Sequence, residues 1–302
     1  MKNLIVSSAD LKYSHLLIEL YNSLKTSIND KYDFAILDCG LSAEIINFFT
    51  NNHIKIVKPD WEFDVPNYKI RGRENLKIQF SRFYLDKYFP GYENYIWLDS
   101  DTWINCQDTF DLYLKGAEIS GFSITPQVDR AYPRLIDIKW LIGGIPKKIN
   151  TINFKNISKS VSLKLAKKYA GNFTLNAGCF AYNIKFDGLS RLRSNLSLAS
   201  KKGRVFGSDQ VALALTLFND GVHFELLPSY CNWLCVTKIP KYSNDMKCFV
   251  EPYLPNHKIG VMHLAGMDLD RKEKIINHKV QLVEGGESNM SLRYLEKKNQ
   301  LF

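Results

Sequence analysis

The chain has 302 residues, 45% of them hydrophobic and 24% charged, with a formal net charge of +9. These values allow a sizeable core and exclude wholesale disorder. There is no apolar run of about 18 residues to span a membrane, and the chain opens on strand-like Leu4-Ile5-Val6 instead of a secretory leader, so a cytoplasmic location is expected.

The six cysteines include no Cys-x-x-Cys pair, and no histidine pair near Cys231 and Cys235 completes a zinc pattern. Free thiols are expected. From 138 to 207, fourteen Lys or Arg stand against Asp187 alone, so this stretch carries +13 while the whole chain carries +9. Such asymmetry points either to an anionic partner (a phosphorylated substrate, an acidic glycan or a lipid surface) or to a solvated basic face. Nucleic acid is not expected, because no recognised binding module accompanies the charge.

In chain order, Leu4–Ser8 reads as a strand and 14–28 as a helix with an apolar stripe at Leu17, Leu20, Leu24 and Ile28. Strands at Phe34–Leu37, Ile54–Val57 and Tyr95–Leu98 alternate with helices near 42–51 and 74–88. This βαβ succession predicts an α/β fold with a mainly parallel central sheet flanked by helices. The Pro- and Gly-rich stretch that begins near 124 reads as an excursion from the sheet, with a short basic helix marked by Val161, Leu165 and Tyr169. A strand at Phe173–Ile184, helices at 188–202 and 208–219, and strands near 222–227 and 259–264 follow. No linker divides the chain. One domain over 1–267, an excursion over about 124–170 and a basic helical tail over 268–302 are expected.

The segment Tyr-Ile-Trp-Leu-Asp-Ser-Asp at 95–101 is the most informative. An apolar strand rejects unpaired charge, so Asp99 and Asp101 belong at its carboxyl end, where open α/β sheets bind ligands. In extended chain, residues two apart point the same way, which lets both carboxylates face one Mg²⁺ or Mn²⁺ ion shared with a diphosphate. An Asp-rich turn before a helix is the plain alternative.

Four separated segments in order, covering about nine-tenths of the chain, resemble the family 8 glycosyltransferases, retaining enzymes of GT-A fold. Within that family the chain resembles bacterial lipopolysaccharide galactosyl- and glucosyltransferases. The segments are Ser8-Ala9-Asp10-Leu11-Lys12-Tyr13, then Ser81-Arg82-Phe83-Tyr84-Leu85 before Asp99-Ser100-Asp101, then Leu175-Asn176-Ala177-Gly178 with Ser208-Asp209-Gln210, and last His263-Leu264-Ala265-Gly266.

The resemblance implies a UDP-hexose donor, with Asp10 and Tyr13 on the uracil, Arg82 on the diphosphate or the sugar, and Ala9 and Ser100 also binding the UDP-sugar. Asn176, Ala177, Gly178, Asp209 and Gln210 would surround the sugar, with Gln210 near the anomeric carbon. Asp99, Asp101 and His263 would hold Mn²⁺, or Mg²⁺, and Gly266 would approach the phosphates. It further implies a glycan acceptor; the lysines of the excursion suit an anionic or lipid-linked one, and the basic segments suit peripheral membrane contact. Where the family often carries a phosphate-binding Lys this chain has Leu269, with Arg271 and Lys272 as substitutes nearby. Lys12 stands where Asn is common and Val211 where many members have Asp.

Read singly, Asp10 and Asp209 are also helix caps and Arg82 a surface arginine. A haloacid-dehalogenase-like phosphatase is disfavoured because Thr102 comes one residue too early for Asp-x-Asp-x-Thr. A non-catalytic nucleotide-sugar or glycan binder on the same fold is the standing alternative, although such a binder has no need of a divalent site.

Overall fold

A computed structural model describes residues 2–28, 31–132, 137–144 and 146–295, with the side chains of 146–150 left aside. The strands are β1 (Asn3–Ala9), β2 (Tyr32–Asp38), β3 (Lys55–Val57), β4 (Asn94–Leu98), β5 (Thr102–Ile104), β6 (Phe122–Pro126), β7 (Asp137–Trp140) and β8 (Pro146–Asn150). They continue as β9 (Leu175–Asn183), β10 (Glu225–Leu226), β11 (Asn232–Leu234), β12 (Lys241–Ser243), β13 (Cys248–Val250), β14 (Val261–His263), β15 (Asn277–Gln281) and β16 (Glu287–Ser291).

A seven-stranded sheet of order β10-β6-β9-β4-β1-β2-β3 forms the centre. Every pairing in it is parallel except those of β9, which runs antiparallel to both β4 and β6. The expected α/β architecture is therefore present, with one reversed strand in the middle. That reversal was not visible in the sequence. A strand covered on both faces is apolar throughout whichever way it runs.

Alternate residues of each strand feed two cores. Leu4, Val6, Tyr95, Trp97, Phe180 and Tyr182 pack on one face with Phe80, Phe83 and the Leu192/Leu196 stripe of the helix Leu189–Lys202. Ile5, Ile96, Leu98, Cys179 and Ala181 pack on the other with Leu17, Leu20 and Leu24 of the helix Ser14–Ser27 and with Phe110 and Tyr113 of the helix Gln107–Ser120. Period-two alternation on both faces places β4 at the interior with its carboxyl end at the sheet's rim.

The helix expected over 74–88 is instead three short turns, Glu74–Lys77, Ile78–Ser81 and Leu85–Tyr88. The excursion contains the hairpin β7–β8, with exposed Trp140, Leu141 and Ile142 at its tip, then helices Ile152–Ser160 and Leu163–Lys168.

The tail corrects the expectation of a helix: β15 and β16 form an antiparallel hairpin. Gly285 and Gly286 sit between them at positive φ, a conformation that suits glycine and stops a helix. Val280 and Leu292 join a third core with Trp103, Trp233 and Met262. Arg293 is buried against Glu19, so the tail is bound to the body of the protein. Lys297 and Lys298 lie outside the described residues. Among the described residues the cysteines are all free, and no helix is long and apolar enough to cross a membrane.

Candidate active site

The two aspartates follow β4 directly. Asp99 N donates to Gly178 O at 2.8 Å, which fixes the strand end against β9. Thr102 Oγ1 and Thr102 N donate to Asp99 O at 2.7 and 3.1 Å, closing a turn over 99–102. This departs from the extended pair expected from the sequence. The turn brings the carboxylates together without extended geometry.

Antiparallel pairing of β14 with β5 sets His263 opposite Thr102, and Leu264 N donates to Asp101 O at 2.9 Å. One potential ligand atom from each of Asp99, Asp101 and His263 then lies within 4.8 Å of the others. The hydrogen bonds decide which atoms face inward. Asp99 Oδ1 accepts from Trp97 Nε1 at 2.8 Å and lies 3.4 Å from Arg82 Nη2. Asp101 Oδ2 lies 3.2 Å from Arg271 Nη1, leaving Oδ1 at 3.4 Å from His263 Nε2.

His263 Nδ1 is 3.0 Å from Asn232 Oδ1, and the amide oxygen accepts only if Nδ1 carries the proton. In the neutral ring, Nε2 is then the lone pair. It is buried and has no hydrogen-bond partner among the described residues. A buried, unpartnered imidazole nitrogen between two carboxylates, oriented by a second amide, has the chemistry of a divalent-cation ligand set. Gly178 completes the cradle: a Cβ there would lie 2.3 Å from His263 Cε1 and 3.0 Å from both His263 Nε2 and Asp99 Oδ2.

Arg82, read alternatively as a surface residue, is buried. Its guanidinium lies over Trp97 at 4.9 Å, donates to Ala177 O at 3.1 Å and pairs with Asp209 Oδ2 at 3.3 Å. Burial pushes the Asp209 carboxyl up, and the Arg82 charge offsets this only in part. Asp101 moves the other way. Burial would raise it, but His263, when its ring is protonated, and the Arg271 guanidinium hold it below the ordinary carboxylate value.

A pocket of about 170 Å³ gathers Ala9, Asp10, Tyr13, Arg82, Asp99, Ser100 and Asp101, with Arg271 at its wall. Asp10 does cap a short helix, since its side chain accepts from Tyr13 N, and it also accepts from Asn75 Nδ2 at 3.0 Å. Asn176 and Ala177 border Arg82 and Gly178, and the Asn176 Nδ2 amide is buried without a partner among the described residues.

Two predicted residues lie apart from this pocket. Gln210 lines a neighbouring one with Asn156, whose Nδ2 donates to Gln210 Oε1 at 3.4 Å. Gly266 lies at another, beside Val236 and exposed Leu269. Of the two offered substitutes, Arg271 enters the pocket of Asp10 and Tyr13 and stands over the Tyr13 ring at 5.6 Å, whereas Lys272 is exposed. Asn75, Trp97 and Asn232 were not anticipated. Each is polar or aromatic on an otherwise ordinary segment, and only its tertiary neighbour reveals its use.

No family model and no curated protein matches the chain. Among solved structures, the galactosyltransferase LgtC in complex with donor and acceptor sugar analogues aligns with a TM-score of 0.52 at 17% identity, over 87% of each chain. The fold is GT-A. An active-site mutant of LgtC aligns with a TM-score of 0.50 at 14% identity, again over 87% of each chain. At such identity the GT-A likeness establishes architecture, and chemistry has to be argued from the residues themselves.

Proposed function

We propose that this chain is a metal-dependent, retaining glycosyltransferase that moves galactose or glucose from a UDP-sugar to a hydroxyl of a glycan, in the synthesis of lipopolysaccharide or another surface polysaccharide. The observation that carries the reading is the convergence of Asp99 Oδ2, Asp101 Oδ1 and unpartnered His263 Nε2 between two guanidinium groups, beside the Asp10–Tyr13 pocket. Those three atoms would hold Mn²⁺ or Mg²⁺, which supplies charge neutralisation for the departing diphosphate.

The chain's own groups account for the rest. The Tyr13 ring offers a π-face to the uracil, and Asp10 accepts from its N–H. Arg271 takes the diphosphate contact that Leu269 cannot make, and Arg82 holds Asp99 and Asp209 in place. The free Asn176 Nδ2 donates to a sugar hydroxyl. In the reaction the bond from the anomeric carbon to the UDP oxygen breaks and a bond to the acceptor oxygen forms on the same face. The acceptor's proton passes to a phosphate oxygen of the departing UDP. Gln210, an amide and a poor nucleophile, contributes its oxygen dipole to the positive charge that develops on the ring, with no covalent intermediate.

Calorimetric titration of UDP into metal-free protein, with and without Mn²⁺, tests this in the wild type and in Asp101→Ala. Binding that requires both Mn²⁺ and Asp101, followed by hydrolysis or transfer from a UDP-hexose, is expected. UDP binding with no turnover of any UDP-hexose would favour the non-catalytic alternative. No UDP binding in any condition would refute the proposal.

A further inference from the structure

Next to the site lies a groove of about 540 Å³ whose walls carry Lys69, Arg71, Arg73, Lys159, Lys202 and Arg204 and no acidic side chain. None of these six forms an ion pair among the described residues. Lys69 is engaged by carbonyl oxygens, donating to Ser200 O at 2.8 Å and Lys201 O at 2.5 Å. Arg71 donates from Nε to Tyr68 O at 3.2 Å, and its outer nitrogens have no side-chain ion pair among the described residues. Like charges gathered in a concavity repel one another and raise the local potential, a cost that an anionic ligand relieves. Arg71 and Gly72 also sit at φ +51° and +70°, a left-handed pair that is costly at a non-glycine residue.

Tyr68 and Phe206 line the same groove, and each is 70% exposed. Two bare rings between cations suit the apolar faces of sugar rings that carry charged substituents. A flat lipid surface has no use for a concave wall.

The groove is continuous with the candidate chemistry. Lys159, Arg204 and Phe206 also line the smaller pocket that holds Gln210. At its other end, Arg73 lies two residues before Asn75, which binds Asp10 in the donor pocket. Gly207 N, next to Phe206, donates to Gln79 Oε1 at 3.3 Å.

We propose that this groove is an acceptor-binding site for a polyanionic saccharide, one bearing two or more phosphate or carboxylate groups. Its arginines and lysines take the charges, Tyr68 and Phe206 take sugar faces, and a free hydroxyl is presented towards Gln210. The acceptor role rests on the glycosyl-transfer reading, whereas the binding itself does not.

The probe is a galacturonic acid pentasaccharide, titrated calorimetrically against its neutral methyl-ester twin. The acid form should bind on the order of tenfold or more tightly, and Arg71→Ser/Arg73→Ser/Arg204→Ser should abolish that preference. Phe206→Ala should weaken both forms by a similar factor. Lys185→Ser/Arg191→Ser, which removes two exposed cations elsewhere on the basic segment, should change nothing. Asp101→Ala should bind the acid form like the wild type, because the groove holds none of the metal-ligand residues. Equal affinity for the two saccharides, or selectivity that survives the triple substitution, would overturn the proposal. So would arginine-dependent binding to phosphatidylglycerol vesicles without saccharide binding, which would make the groove a lipid-contact surface. Failure of UDP binding with saccharide selectivity intact would sink the transferase reading alone.

Discussion

Gly178→Ala tests the proposed metal cradle separately from the rest of the fold. Gly178 is in β9 with its Cα facing His263, and an added methyl carbon would lie 2.3 Å from His263 Cε1. Ordinary carbon contacts begin near 3.4 Å, so the ring must retreat by about 1 Å. It cannot retreat and remain a ligand, because metal–ligand distances tolerate only about 0.2 Å. Overpacking of this kind costs about 1–3 kcal/mol of stability, and a chain of this order loses roughly 2–4 °C of melting temperature for each kcal/mol.

The substitution should therefore lower the melting temperature of metal-free protein by several degrees. It should also weaken Mn²⁺ binding in the presence of UDP by about 10–100-fold, as loss of ligand orientation does elsewhere. Scanning calorimetry and titration on the same preparation measure both. The decisive comparison is the further stabilisation on adding Mn²⁺ and UDP, which the wild type should show and the variant should largely lose. A variant that folds with unchanged stability and binds Mn²⁺ like the wild type would mean that His263 does not face the cation, and the cradle argument would fail.

Asn232→Leu removes the acceptor that orients His263 Nδ1 and should lower Mn²⁺ affinity roughly 10-fold or more, read by the same titration; unchanged affinity would show that the tautomer is set by something else. Arg82→Met strands Asp209, with which it forms a pair whose two side chains are each only 6% exposed, and should cost about 3–5 kcal/mol in urea denaturation. A loss below 1 kcal/mol, the scale of an exposed pair, would contradict the buried arrangement (about 0–1 kcal/mol is typical). The pH dependence of metal-free protein follows from Asp101, whose folded value lies below its ordinary 3.8. Its contribution is fully present above 3.8 and is lost as pH falls through the lower folded value, so the stability gap between wild type and Asp101→Asn should close below that pH. A gap independent of pH would show that Arg271 and a protonated His263 do not favour the ionised form.

Much of the architecture was legible because it is written in local periodicity. The apolar stripe at Leu17, Leu20 and Leu24 and the short runs ending at Ala9, Asp38 and Leu98 give a helix and parallel strands from period alone. The tail was misread as helix because polar, Lys-rich sequence carries no face preference of its own; Val280 and Leu292 found their core only against Trp103 and Trp233. The candidate metal cluster was legible in Asp99 and Asp101, where charge interrupts a buried strand, whereas His263 entered only through the family resemblance.

The sequence by itself determined the alternation of strands and helices, the position of paired carboxylates at a strand's end and the sign of the charge on one face. Those properties belong to neighbours along the chain. Only the tertiary structure decided that β9 runs backwards, that Arg271 and not Lys272 reaches Asp101, that Asn232 holds the imidazole and that Arg71 and Arg73 line one groove with Arg204. Such contacts join residues far apart in sequence, and their energies depend on burial and distance that no local pattern encodes.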